Sequence, residues 1–268
     1  MGNFHILSNP DLTSLTGLEN LTSIGSNFHI NDNDVLVNLV GLNNLISVGG
    51  YFDIISNSAL ESLTGLESLS YINHLSFQHN EALVNISALG NLDSIHGVLR
   101  ISGNDALINL VGLQNVLFIG ENLWVLDNNS LVNLIGLDNL NIIGEKASIW
   151  GNESLTSLTG LENLTSIGGD LTIGYWHQNS WDPYGNFSLT SITSLENLTS
   201  IGGNLKIEDN DLLNSLIGLD NINAETIDNI YINNNDTLAV CHIESICNYL
   251  ASSGGIIEIF DNEPGCNS

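Results

Sequence analysis

The pattern of hydrophobic and polar positions repeats along the whole chain with a period of about 24 residues. Each copy, called a coil below, opens with apolar residues at its second and fourth positions, which alternate with outward-facing positions three and five. This alternation predicts a short β-strand with one buried face. The coils begin at Asn3, Asn27, Tyr51, His74, Val98, Asn122, Lys146, Asp170, Asn204, Asn229 and Ile256.

The remainder of each coil follows a second pattern. An Asn stands at the seventh position of nearly every coil, and Leu or Ile then recurs every third residue, as in Leu155, Leu158 and Leu161. Ser, Thr, Asn and Gly fill the positions between them, which argues against a helix. Stacked Asn side chains at a strand spacing of about 4.8 Å can hydrogen-bond to one another, so an internal Asn ladder is expected.

Together these patterns predict an all-β fold, a β-solenoid or right-handed parallel β-helix of about eleven 24-residue coils. One coil cannot bury its apolar side alone, whereas stacked neighbours form a continuous core. Residues 1–238 are assigned to the coils, with a ten-residue insertion near residues 174–185, and residues 239–268 to a C-terminal cap.

The motif L-x-I-x-x-N-x-x-L-x-x-L-x-G-L-x-N-L-x-x-I-x-G resembles the leucine-rich-repeat-like receptor L domain. It is still more similar to the long coil arrays of bacterial secreted and cell-surface proteins, which end in a comparable Cys-containing cap. The similarity covers essentially the whole chain. It implies an extracellular recognition role, a secreted or cell-surface location and no catalytic motif.

The charge excludes two classes of partner. There are 30 Asp and Glu against 3 Lys and Arg, and the formal net charge is −27. Nucleic acids and anionic membranes both require clustered cationic side chains, which this chain lacks. No apolar run reaches the roughly 18 residues of a transmembrane helix. Because the repeat is already under way at Asn3, we expect a mature fragment behind an added Met, with further coils or domains in the full-length protein.

All three cysteines lie near the C-terminus, which suits a local disulfide in an oxidising compartment. Apolar residues recur there at helical spacing and predict a short capping helix within residues 239–253. Cys241 and Cys247 would be about 9 Å apart along such a helix, too far for a bond between them. A disulfide between Cys247 and Cys266 is favoured, with Cys241 as a buried thiol. A bond between Cys241 and Cys266 stays open.

Positions three and five should stack into a continuous outward face. All three basic residues lie on or beside this strand, and the four Trp fall in consecutive coils or in the insertion. Exposed aromatic clusters on a polar surface are typical of binding sites, and the alternative is that the rings only pack against each other. The predicted ligand-binding residues are Arg100, Trp124, Lys146, Trp150, Tyr175, Trp176, His177, Trp181 and Tyr184.

The expected function is non-catalytic, extracellular binding of a glycan or a protein, without a metal or cofactor. Ice binding is one alternative, because Thr, Val and Ile form rows at positions eleven and fourteen, although any β-strand favours such residues. A polysaccharide lyase or hydrolase is the other. It needs paired acids, and Asp53 and Glu208 on the outward face are expected on the order of 20 Å or more apart.

Overall fold

The computed structural model describes residues 2–175, 184–252 and 254–266, and these residues form an all-β solenoid with one short helix. The helix, α1, spans Glu244–Ser252, and three 3₁₀ turns span Ser87–Leu89, Thr193–Leu195 and Ala224–Thr226. In chain order the strands are β1 (Phe4–Leu7), β2 (Ser23–Ile24), β3 (Phe28–Asn31), β4 (Ser47–Ile55), β5 (Tyr71–Gln78), β6 (Ser94–Ile95), β7 (Leu99–Ser102), β8 (Phe118–Ile119), β9 (Leu123–Leu126), β10 (Ile142–Ile143), β11 (Ala147–Trp150), β12 (Ser166–Ile167), β13 (Leu171–Ile173), β14 (Ser200–Ile201), β15 (Leu205–Glu208), β16 (Ile230–Asn235) and β17 (Ile257–Asn262).

The strands form two parallel sheets. The large sheet contains the opening strand of every coil in the order β1-β3-β4-β5-β7-β9-β11-β13-β15-β16-β17, with β2 paired to β4, and the small sheet runs β14-β12-β10-β8-β6. Equivalent residues of successive coils pair, so each position forms a straight row; Arg100, for example, pairs with Trp124. Ten strand spacings of about 4.8 Å make a rod about 48 Å long.

A single core runs along the inside of the solenoid. In the coils between the first and the last, the second and fourth positions of the opening strands and the Leu and Ile residues of the later triplets are buried, as the repeat predicts. At the two ends of the rod, Phe4, Ile6 and Ile259 are partly buried and Ile257 is exposed. Phe28 and Phe52, which occupy equivalent positions in neighbouring coils, stack with their ring centroids 4.8 Å apart. Each fully buried side chain of this kind stabilises the fold by about 1.5–3 kcal/mol.

The Asn ladder predicted from the sequence lies within this core. Asn104 donates from Nδ2 to the carbonyl of Phe77 in the preceding coil (3.0 Å), and its Oδ1 accepts from the backbone N–H of Asn80 (3.3 Å). Each ladder residue therefore satisfies backbone groups that the turn after the strand leaves unpaired. The same bond to the preceding coil is made by Asn33, Asn57, Asn80, Asn128, Asn152, Asn186, Asn210, Asn235 and Asn262.

A second corner of each coil depends on glycine and a neighbouring carboxylate. Gly136 has φ 116°, and a Cβ at this position would collide with the Leu110 carbonyl of the preceding coil. At the equivalent corner of another coil, the N–H of Gly65 donates to the carboxylate of Glu67 at 3.0 Å. Some of the acidic residues that contribute to the −27 charge thus stabilise turns by accepting a backbone hydrogen bond.

The C-terminal cap closes the core with α1. Ile246 and Tyr249 are buried against the last coils, and Tyr249 Oη donates to the Asp228 carbonyl at 2.7 Å. The helix begins at Glu244, five residues after the start of the segment in which it is predicted. None of the helical residues that the structure describes forms a segment long and apolar enough to cross a bilayer.

The favoured disulfide is wrong. Cys241 is bonded to Cys266, with Cα atoms 5.4 Å apart, and Cys247 is a free, exposed thiol. The prediction placed Cys241 on the helix, but α1 begins three residues later, so Cys241 remains in the core layer beside the final turn. Cys247 lies on the solvent side of α1, away from Cys266.

Candidate functional site

The outward surface of the large sheet, called the strand face, carries positions one, three and five of the coils. Strand register confirms that position three forms one continuous row across the sheet, so residues far apart in sequence become neighbours. The row contains His5, His29, Asp53, Ser76, Arg100, Trp124, Ser148, Thr172, Lys206, Tyr231 and Glu258.

Two predicted site residues meet in the middle of this row. The Arg100 guanidinium carbon lies 5.3 Å from the centre of the Trp124 ring, a cation–π contact. The Nε atom of Arg100 is buried, and no residue in the described part of the chain accepts a hydrogen bond from it. The ion pairs found among the described residues involve His29, His74 and Lys146, and none involves Arg100.

A groove of about 270 Å³ lies in front of Arg100. Its lining includes Ser76, whose small, buried side chain leaves space between the larger residues on either side of it in the row. Asp53 bounds the groove on the neighbouring strand β4, and Arg100 bounds it on β7. These two strands flank β5, so their backbones are about 10 Å apart. Gln78 lines one edge and donates from Nε2 to Ser76 Oγ at 2.7 Å.

The other edge of the groove is aromatic. Tyr51 and His74, both at position one, stack in parallel with ring centroids 4.1 Å apart. His74 Nδ1 accepts the backbone N–H of Val98 at 3.0 Å, which holds its ring in place. Tyr51 remains about half exposed. The groove therefore joins aromatic surface to polar groups, the combination found in sites for small polar ligands.

Asp53 is held by its neighbours in the row. His29 Nδ1 lies 2.8 Å from Asp53 Oδ2, and His29 is itself stacked on His5 at 4.8 Å. Burial raises the pKa of Asp53, and the nearby His29 and His74 oppose that rise. Asp53 thus offers a fixed, desolvated carboxylate that can accept hydrogen bonds at the groove.

A second aromatic group forms beside the insertion. Trp150 lies 5.8 Å from the Tyr175 ring and 5.4 Å from the Tyr184 ring, and the two Tyr rings are 6.3 Å apart. The backbone holds them together, since Tyr184 N–H donates to the Tyr175 carbonyl and Gly151 N–H donates to the Tyr184 carbonyl. These three rings pack against each other at the base of the insertion.

Lys146 is occupied by a nearby acid. Its Nζ lies 2.9 Å from Asp170 Oδ2, in the next coil. Burial tends to raise the pKa of Asp170, but the Asn204 N–H and Lys146 outweigh this effect and lower it. Lys146 therefore has a paired carboxylate, whereas Arg100 takes part in none of the ion pairs found among the described residues.

The predicted site residues thus separate into groups. The structure brings Arg100 to Trp124 and, separately, Trp150 to Tyr175 and Tyr184, while Lys146 pairs with Asp170. Trp124 and Trp150 are diagonal neighbours on adjacent strands, with backbones about 8 Å apart. The remaining predicted residues, Trp176, His177 and Trp181, lie outside the described residues.

Sequence reasoning missed the groove itself. Tyr51, His74 and Ser76 line it, and none of them is among the predicted residues. A signal was present in position one, where Tyr51 and His74 replace the Asn of the first two coils. A second signal was a small Ser at position three between Asp53 and Arg100, since a cleft on a flat sheet requires a short side chain.

The geometry gives little support to a glycosidase site or a metal site. Asp53 and Glu208 are on β4 and β15, six strand steps apart in the sheet, or about 29 Å. Carboxylates in glycosidases are separated by about 5–10 Å, so these two do not form such a pair. The described residues contain no group of three or more His, Cys, Asp or Glu arranged to hold a metal ion.

The rows at positions eleven and fourteen form another exposed surface. Val and Ile side chains there are about half exposed and lie on successive coils, with Thr at the equivalent positions of other coils. Glu61 interrupts the first row. The exposed apolar members are Val37, Val40, Val84, Ile108, Val111, Val132, Ile135 and Ile217.

Comparison with known proteins returned no relative. No protein-family model matches the chain, no protein of established function matches its sequence, and no solved structure matches its fold at a significant level. Any functional conclusion therefore depends on the chemistry of the surfaces described above.

Proposed function

We propose that this chain is a non-catalytic, extracellular recognition module that binds a ligand on its strand face. The observation that carries the proposal is the groove between Asp53 and Arg100, where a cation 5.3 Å from the centre of the Trp124 ring takes part in none of the ion pairs found among the described residues. A cation that borders a groove and has no paired carboxylate can bind an anionic or hydroxyl group of a ligand there.

A glycan is the ligand that the groove favours over a protein. The groove is about one strand wide, and its edges carry ring surface from Tyr51 and Trp124 together with polar groups from Asp53, Gln78 and Arg100. Sugar rings match this combination, because their apolar faces pack on aromatic rings while their hydroxyls donate and accept hydrogen bonds.

An extracellular location is supported by two further features. The Cys241 to Cys266 disulfide is typical of oxidising compartments. The motif similarity to receptor L domains and to bacterial surface proteins implies recognition outside the cell. The strongly negative charge continues to exclude nucleic acid and anionic membrane as partners.

The experiment is an array of glycans and secreted proteins probed with the purified chain and two variants. Trp124→Ala removes the ring beneath Arg100, and Tyr231→Ala removes the matched ring beneath Lys206, which lies 5.3 Å from it in the same row. We expect Trp124→Ala to weaken glycan binding about ten-fold or more and Tyr231→Ala to leave it unchanged. Equal loss in both variants, or no specific binding to any glycan or protein, would contradict the proposal.

Ice binding is a second candidate, supported by the exposed, regularly spaced rows at positions eleven and fourteen. Flat Thr and Val arrays on solenoids are typical of ice-binding surfaces, and the rows here repeat at a spacing of about 4.8 Å. A thermal-hysteresis measurement with wild type and Val111→Asp tests it. Activity in the wild type that is lost in the variant supports ice binding, and no hysteresis in the wild type at millimolar concentration ends it.

A further inference from the structure

Arg100 is the only arginine of the chain, since the other two basic residues are Lys146 and Lys206. Its guanidinium is placed by the Trp124 ring on one side, while Ser76 on the neighbouring strand leaves the other side open to the groove. A planar guanidinium presents its N–H groups as a fork that matches a carboxylate in two parallel hydrogen bonds. Because Arg100 lines the groove and its Nε atom is buried, its terminal N–H groups are the donors that an anion in the groove would meet.

The charges around the groove define what can sit there. Arg100 offers donors and positive charge at one end, and Asp53 offers acceptor oxygens about two strand spacings away. A ligand that fits both must carry an anion at one end and hydroxyl donors at the other. Tyr51 and Trp124 add ring surface for an apolar face between these two ends.

We propose that the groove binds an acidic sugar, with the sugar carboxylate on Arg100 and ring hydroxyls donating to Asp53. This inference rests on the proposed function, because it assigns a ligand class to the same site. A neutral hexose leaves the Arg100 fork without an anionic partner. A simple aliphatic acid leaves the Asp53 carboxylate and the aromatic edge unused.

The acid residues of the strand face limit how much negative charge the ligand can carry. Asp53 lines the groove about two strand spacings from Arg100. A polyuronate lying across the groove would bring a second carboxylate towards Asp53, within the screening length of about 8 Å at physiological salt. A single acidic sugar on an otherwise neutral glycan avoids this repulsion. The ligand class is therefore a glycan with an isolated uronic acid.

The test uses disaccharides in matched pairs that differ only in a carboxylate. Cellobiouronic acid is paired with cellobiose, and disaccharides that contain one galacturonic or one mannuronic acid residue are each paired with their neutral parents. Affinities are measured by calorimetry for wild type, Arg100→Gln and Lys206→Gln. We expect at least one acid to bind about ten-fold or more tightly than its neutral parent, because a charged hydrogen bond adds that much. Arg100→Gln should abolish the preference, and Lys206→Gln should keep it.

A second readout reports on Arg100 without any substitution. Because the chain has one arginine, a ¹⁵N-edited NMR spectrum contains a single Arg Nε–H signal, and the binding acid should shift it while its neutral parent does not. Equal binding of acid and neutral parent, with loss in Trp124→Ala, would overturn the acidic-sugar inference but leave glycan recognition intact. Binding of none of the pairs overturns the inference, and a protein bound on the array would then identify a protein-recognition face.

Discussion

Two pairs of side chains on the strand face have the same geometry and different surroundings. Arg100 lies over Trp124 and Lys206 lies over Tyr231, each with its cation 5.3 Å from the ring centre. Around the first pair, basic side chains oppose the effect of burial on the acids. His29 and His74 oppose the raised pKa of Asp53, and His79 and Arg100 oppose the raised pKa of Asp127. The groove opens beside this pair.

Around the second pair the acids have further acids as neighbours. Burial raises the pKa of Asp209 to about 7, and the charges of Glu208, Asp211 and Asp236 add to that rise, against a side-chain hydrogen bond from Asn234. The comparison shows that the repeat decides where a side chain stands, while the adjacent coils decide its chemistry. It also suggests experiments that treat the two regions as matched controls.

The largest effect should come from the scaffold that both regions share. Asn104 and Asn210 lie behind the two regions and make equivalent ladder bonds, the former to the Phe77 carbonyl and the latter to the Ile173 carbonyl. Replacing either by Ala leaves at least two buried backbone groups unpaired, so we expect each change to cost about 3–5 kcal/mol in urea unfolding. A difference between the two of more than about 1 kcal/mol would show that the regions do not share an equivalent scaffold.

The next largest effect should come from breaking the disulfide, and it should be confined to the region near Lys206. Breaking the disulfide with Cys266→Ser removes a constraint on a 25-residue separation near β17, at a cost of about 3 kcal/mol. Because coils contact only their neighbours, amide exchange should accelerate in β16 and β17 and stay unchanged in β5 and β7. Cys247→Ser is the matched control and should alter neither. Equal exchange changes along the whole rod would contradict this local picture.

The cysteines also show where sequence reasoning stops. The coil period, the Asn ladder and the row at position three could be predicted because every coil repeats the same residues under the same packing rule. The disulfide could not, because it depends on where α1 begins. That boundary depends on packing at the end of the core, where Val240 still bridges to Ser215 of the previous coil.

The groove was unpredictable for a related reason. Arg100 and Trp124 could be predicted as ligand-binding residues because charged and large aromatic side chains stand out in the aligned position-three row. A cleft is instead created by a small residue between large ones. Ser76 has no chemical signature of its own, and its significance depends on Asp53 and Arg100 standing on either side of it. Trp150 is likewise a predicted ligand-binding residue, and the structure shows it packed against the rings of Tyr175 and Tyr184.

A smaller effect should appear in the pH dependence of the acidic region. The pKa of Asp209 is about 7 in the folded chain and near 4 when unfolded, so the folded state holds the proton more tightly between these values. Stability should therefore fall as pH rises from about 4 through 7, and the melting temperature should drop by a few degrees. Asp209→Asn should remove most of this slope. Asp53→Asn, whose histidine neighbours oppose the shift, should alter it less, and an unchanged slope in Asp209→Asn would contradict the assignment.

The smallest effect distinguishes the two cations in the absence of any ligand. Lys206→Met should cost about 0.5–1 kcal/mol, the usual contribution of an exposed cation–π contact. Arg100→Met loses the same contact but also removes the buried Nε–H that has no acceptor among the described residues, and these two changes offset each other. We therefore expect the free energy of unfolding of Arg100→Met to lie within about 0.5 kcal/mol of that of wild type, while the variant loses the preference for acidic sugars. A loss of more than about 1 kcal/mol in urea unfolding would instead make Arg100 a structural residue, because a side chain kept for a ligand should contribute little to the stability of the free protein.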